Sequence, residues 1–151
     1  MLQLREGTGS QAALTAVAAE TPSTLIADVL NDAAGYCDEL SRFAGTTAGC
    51  FRAGDDGRAL TGLVDLISGL GWLTKALDGA THAMRLDFGT VVQGNRTLRE
   101  QVEILNALLT EILATQERKD WVLLTDLLDY ELAPLLAEWR GTFCHLRDRV
   151  A

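Results

Sequence analysis

The most constraining pattern in the chain lies at its C-terminal end. Trp121, Leu124, Leu128, Leu132, Leu135, Trp139, Phe143, Leu146 and Val150 recur at steps of 3, 4, 4, 3, 4, 4, 3 and 4. Residues three and four apart share one face of an α-helix, so this spacing draws a continuous apolar stripe about eight turns long. Such a stripe cannot stay in water and needs other helices to cover it, and its period of 3.5–3.6 residues suits a bundle. Pro134 sits inside the stripe. It removes one backbone donor and clashes with the carbonyl four residues earlier, which predicts a kink near 130–134.

Three further segments read as helical partners. Thr21-Pro22 is a helix opening, with threonine as cap and proline in the first turn. Beyond it Ile26, Val29, Ala33, Tyr36, Leu40 and Phe43 alternate steps of three and four, and residues 53–57 (Ala-Gly-Asp-Asp-Gly) read as a loop. A second helix is expected over about 58–81, lined by Leu60, Leu63, Ile67, Leu70 and Leu77. Its Gly62, Gly69 and Gly71 each cost roughly 1 kcal/mol against alanine, so they mark either close packing or a break. Residues 86–94 read as a connector touching the core. Asn95 is the expected cap of a third helix carrying Leu98, Val102, Leu105, Leu109 and Ile112. Asp120 is the expected cap of the fourth, although the absence of Gly and Pro at 116–120 leaves a continuous helix open. The expected fold is therefore all-α, an up-and-down four-helix bundle over 21–151 with a kinked last helix, preceded by a tail or short extended segment at 1–20.

Length supports one domain. The chain has 151 residues, 48% hydrophobic and 23% charged, enough to bury a core without disulfide or metal support. Its 13 basic residues face 21 acidic ones, for a net charge of −8. Counterion release from a phosphate backbone needs a basic footprint, so nucleic acid is an unsuitable partner, and anionic lipid surfaces are disfavoured by the same sign. The near-apolar window between Arg58 and Lys75 is interrupted by Asp65 and shorter than a bilayer span, so no membrane association is expected. Cys37, Cys50 and Cys144 are odd in number and lack C-x-x-C spacing, which argues against a secreted disulfide framework and for the cytoplasm.

Motifs with chemistry are sparse. Gly7-Thr8-Gly9-Ser10-Gln11-Ala12 imitates a dinucleotide fingerprint but lacks the strand–helix–strand frame that fingerprint needs. Asp87-Phe88-Gly89 spells a kinase triplet without any of the accompanying segments. His82 and His145 are far apart, and no Glu-x-x-His pair occurs, so no metal or other cofactor is expected. Each cysteine reads more simply as a small apolar group than as a nucleophile. Asp126 and Asp129 share a helix face and resemble a carboxylate pair for acid–base work, yet a solvated helix face explains them as well.

Residues 126–139 (Asp-Leu-Leu-Asp-Tyr-Glu-Leu-Ala-Pro-Leu-Leu-Ala-Glu-Trp) resemble a segment of small, uncharacterised bacterial all-helical proteins. The resemblance implies a helical fold and no particular activity. The expected function is that of a non-enzymatic interaction protein, such as a cytoplasmic adaptor or a secretion or flagellar-type chaperone. Aromatic groups dominate interface hot spots, so Trp72, Phe88, Tyr130 and Trp139 are the candidate partner-binding residues. The surplus of apolar positions on the second and last helices (Leu123, Leu127 and Leu136 on the latter) points to a homodimer or a docked partner helix. The alternative is a small-ligand-binding protein or enzyme with its site between helices.

Overall fold

A computed structural model describes residues 22–150 of the chain. They form an up-and-down helical bundle: α1 (Pro22–Arg52), α2 (Asp56–Ala83), α3 (Leu98–Glu117) and a fourth rod made of α4 (Trp121–Asp126), a wide π-helical turn (Leu127–Leu132) and α5 (Ala133–Val150). A two-residue hairpin, β1 (Val92–Gln93) and β2 (Arg96–Thr97), precedes α3. The expected tail, the threonine expected to cap α1 and the Gly7–Ala12 motif lie outside the described residues.

The long C-terminal stripe is buried as its spacing predicts. Leu124, Leu128, Leu132, Trp139, Phe143 and Leu146 are all at or below 1% exposure, with Leu135 at 5%. This rod runs antiparallel to α1, which is evident from contacts that count in opposite directions. Phe51 stacks on Trp121 at 5.1 Å, Arg140 donates to Asp38 at 3.0 Å, and Arg147 donates to Asn31 at 2.9 Å. The rod also turns back on α3, because only residues 118–120 separate the two and α3 packs on both α4 and the π-helical turn. Arg96 donates to Glu138 at 2.7 Å and the Thr142 hydroxyl to buried Gln101 at 2.7 Å, which ties α5 to the start of α3. The irregularity expected at Pro134 is present as the wide turn immediately before it. With no N–H at 134 to meet the Tyr130 carbonyl, an i→i+5 turn lets the helix advance without the clash.

α1 lies between α2 and the C-terminal rod and packs on both. Its core face is therefore wider than the stripe expected from sequence, and it is built largely of small residues, among them Ala33, Ala34, Ala44 and Ala48. Of the expected stripe, Val29 is 43% exposed, and Ile26, Tyr36 and Phe43 are half-buried along the seam with α2. Two of the three interior glycines noted in the sequence, Gly62 and Gly69, explain how close that seam is. A Cβ on Gly62 would stand 2.8 Å from Thr47 Oγ1, and one on Gly69 would stand 2.6 Å from Leu40 Cδ2, whereas Gly71 faces open space.

Three helices end on the same device. After α1, Gly54 takes φ +74 while Asp55 N–H reaches back to Cys50 O and Gly54 N–H to Phe51 O. Arg85 and Lys119, both at φ 58, do the same after α2 and α3. This six-to-one closure satisfies orphan carbonyls and normally recruits glycine, so the break at 117–120 is real although its sequence lacks one. Asp120 caps α4 as expected, accepting from Leu123 N–H. The cap of α3 is Thr97 rather than Asn95. Thr97 accepts from Glu100 N–H while the Glu100 side chain accepts from Thr97 N–H, a reciprocal capping box. Asn95 instead follows Gly94 in the tip of the hairpin, where Gly94 adopts φ +67.

Candidate functional site

The four candidate partner-binding aromatics fall in different environments. Trp139 is 1% exposed and packs edge-on against Phe143 at 6.0 Å, so it belongs to the core and cannot meet a partner. It lies on the main stripe, and the stripe is what closes the bundle. Phe88 is half-buried in the turn before the hairpin, and its carbonyl accepts from Arg99 N–H. Tyr130 is 72% exposed on the π-helical turn. Trp72 is 45% exposed on α2 and meets Tyr36 of α1 edge-on, with centroids 5.2 Å apart and planes at 81°.

The Tyr36–Trp72 pair sits in an open groove of about 680 Å³ between α1 and α2. Asp32, Glu39 and Asp65 also line it. Helix geometry explains the gathering. Asp32, Tyr36 and Glu39 step by four and three along one face of α1, and Asp65 and Trp72 are two turns apart on α2. Gly35 presents bare backbone with nothing within 4 Å of where a Cβ would stand, which leaves room in the hollow, while Gly69 lets Leu40 and Tyr36 close against α2. None of the three carboxylates is in an ion pair among the described residues. Two further hollows lie along the same seam, one on either side. One is apolar, lined by Leu25, Ile26, Val29 and Ala76 with Lys75. The other is lined by Phe43, Cys50 and Arg58, which pairs with Asp55.

Other candidate chemistry is taken up locally. Asp129 is held in an ion pair by Arg52, whose pKa is raised by that bond, while Asp126 is exposed, so the two carboxylates do not work as an isolated pair. The Asp87 side chain accepts from Gly89 N–H at 2.8 Å and from Arg99, which makes a turn of the kinase-like triplet. His82 and His145 are both exposed, and no metal-ligating cluster occurs among the described residues. Cys37 is buried, and desolvation pushes its thiol up to about 12, with Asp38 adding to the shift. Three further arginines are paired as well, Arg96 with Glu138, Arg99 with Asp87 and Arg140 with Asp38. α2 is the one described helix long and apolar enough to cross a membrane, and its leucines are packed inside the bundle.

Sequence reasoning singled out Trp72 but not its setting. Tyr36 read as part of the core stripe and Asp65 as an interruption of an apolar window. The available signal was the repeat of carboxylate and aromatic at helical spacing on two consecutive helices.

A family model, described as a domain of unknown function (DUF8042), matches residues 28–142. The chain belongs to this family. The match spans most of the bundle, from the first turns of α1 to the middle of α5, and takes in every residue of the central groove. No curated protein and no solved structure matches the chain.

Proposed function

We propose that this DUF8042 protein is a non-catalytic helical adaptor whose protein partner docks on the α1–α2 seam. The observation that carries the reading is Trp72, a large aromatic left 45% exposed in an open groove beside Tyr36. Exposed tryptophan flanked by a pocket is the usual anchor of an interface hot spot. Val29 at 43% and Val64 at 63% extend the apolar exposure on the same two helices. Small acidic helical proteins that act as cytoplasmic adaptors or export chaperones share this make-up, and the cytoplasm is the compartment that suits three unpaired thiols.

The homodimer reading narrows. Of the surplus leucines expected to form a dimer face on the last helix, Leu127 and Leu136 are 1% and 2% exposed and serve the monomer's own core, while Leu123 is half-buried against it. Self-association would then use α2, where a two-fold axis on the seam would bring like carboxylates together. The groove's size also suits a small ligand, since sites of a few hundred Å³ with a few polar groups are typical of such proteins.

The test compares Trp72→Ala with Tyr130→Ala, an exposed aromatic on a different face. Both variants and the wild type are used as bait in the native cytosol, with quantitative mass spectrometry of retained proteins. The adaptor reading expects a partner retained by wild type and Tyr130→Ala and depleted by Trp72→Ala. A retained set indifferent to Trp72, or no retained protein, overturns it and favours the small-ligand reading.

A further inference from the structure

We infer that the occupant of the α1–α2 seam is a cationic amphipathic helix of a partner protein. The inference rests on the docking reading above and adds the chemistry of the partner. Three features of the seam select it.

Shape comes first. Three hollows lie in line along the α1–α2 interface between Leu25 and Cys50, a rise of about 37 Å at 1.5 Å per residue, so the apolar lining is spread along the seam rather than collected in one deep pit. An elongated groove between two helices accepts a third helix, laid so that its apolar residues fall at helical spacing on Val29, Trp72, Tyr36 and Phe43.

Charge comes second. The middle of the groove holds Asp32, Glu39 and Asp65 without a paired cation, beside the faces and edges of Tyr36 and Trp72. The cations near it stand at its edges: Arg42, exposed one turn beyond Glu39 on α1, forms no ion pair with the three carboxylates. Lys75 stands at the apolar end, Arg58 is already opposite Asp55, and Arg147 donates to Asn31 at the rim while also contacting Asp148. A partner that brought carboxylates would add repulsion here. One that brought Lys or Arg would pair them and gain cation–π contact with Trp72. Asp32 and Glu39 are seven residues apart, about 10 Å along α1, so cations two turns apart on the incoming helix meet both.

Self-pairing is the third consideration. A second copy of this chain would present the same three carboxylates to the same groove across a two-fold axis. That arrangement is repulsive, which sets a basic partner ahead of a copy of the chain.

The experiment uses the full chain and three fluorescent model helices of roughly 18 residues, about 27 Å long. One carries leucine on an apolar face and lysine elsewhere, the second has glutamate in place of lysine, and the third keeps the lysines but has serine in place of leucine. Anisotropy at physiological salt is expected to give binding of the Leu/Lys helix at least tenfold tighter than of either other peptide. The triple variant D32N/E39Q/D65N should weaken that binding about tenfold. A charge-matched control, E103Q/E117Q/D126N, should change it less than twofold, which separates the groove from the protein's general acidity. Circular dichroism of both variants confirms that these exposed substitutions leave the fold intact.

Equal losses in the two triple variants, or equal binding of the lysine and glutamate helices, overturn the cationic partner. If Trp72→Ala still abolishes binding in those cases, the docking reading stands by itself. If no helix binds, the cationic-helix proposal fails, and the retention experiment with Trp72→Ala described above decides whether docking on the seam stands or fails with it. Sedimentation completes the set: a dimer at tens of micromolar that dissociates on Trp72→Ala makes a second copy the occupant and overturns the proposal.

Discussion

Replacing two glycines of α2 by alanine, at Gly62 and at Gly71, should stabilise the protein at Gly71 alone. Both lie inside the same helix, so both substitutions gain the same intrinsic term, roughly 1 kcal/mol of helix propensity. They differ only in what the new methyl meets. At Gly71 nothing lies within 4 Å, and the gain is realised in full. At Gly62 the Cβ would stand 2.8 Å from Thr47 Oγ1 and 3.4 Å from Thr47 Cγ2. Ordinary contact is about 3.5–4.0 Å, so the overlap with the hydroxyl is close to 1 Å. Thr47 has little room to yield, because it is β-branched and only 2% exposed. The helices must separate locally, and overpacking of this kind costs about 1–3 kcal/mol. Gly62→Ala is then expected between neutral and about 2 kcal/mol destabilised, and Gly71→Ala about 1 kcal/mol stabilised. Urea unfolding followed by far-ultraviolet circular dichroism measures both, and 1 kcal/mol corresponds to roughly 2–4 °C in Tm for a domain of this size. The difference between the two variants isolates the steric term. Equal shifts for both would mean that α1 and α2 do not approach as closely as Gly62 and Thr47 place them, and the reasoning about the seam would fall.

Other outcomes follow from the same geometry. Leu128→Ala, at a fully buried position of the C-terminal stripe, should cost about 2–5 kcal/mol in the same assay, while Tyr130→Ala beside it should stay within about 0.5 kcal/mol. Lys119→Gly should stabilise by up to about 1 kcal/mol, because Lys119 holds φ 58 at the end of α3 and glycine removes the Cβ strain there. Thr97→Ala should lose about 1 kcal/mol with the capping box of α3. Burial raises the Cys37 thiol from an ordinary 9.0 to about 12, so the unfolded chain releases this proton at lower pH than the folded one. Stability contributed by Cys37 is complete below pH 9 and falls as pH rises toward 12, by at most about 1.4 kcal/mol per unit. Wild type should therefore lose stability relative to Cys37→Ala between pH 9 and 11, and Cys37 should resist alkylation at pH 8 under conditions that label the half-buried Cys50 and Cys144.

Much of the architecture was legible because it depends on local period and on chemistry confined to a few residues. The 3–4 stripe from Trp121 to Val150 dictates a helix and the face it buries, Pro134 dictates an irregularity before it, and Asp120 marks a start by capping the N–H three residues ahead. The α3 start was equally available, in Thr97 and Glu100, but Asn95 drew attention first. What the chain's own order does not determine is how wide a buried arc each helix needs. That depends on the number of neighbours. α1 has two of them, so its core face shifted onto small alanines, and Ile26, Tyr36 and Phe43 moved to the edge of the seam. The ending of α3 was also hidden, because a backbone position with positive φ can be forced on lysine by hydrogen bonds from the following residues. The groove itself is the clearest case. Trp72 stood out in the sequence as an aromatic, but nothing there joined it to Asp32, Glu39 and Asp65. They meet because glycines let α1 and α2 close to contact distance, and closing that interface leaves their side chains on its outer rim.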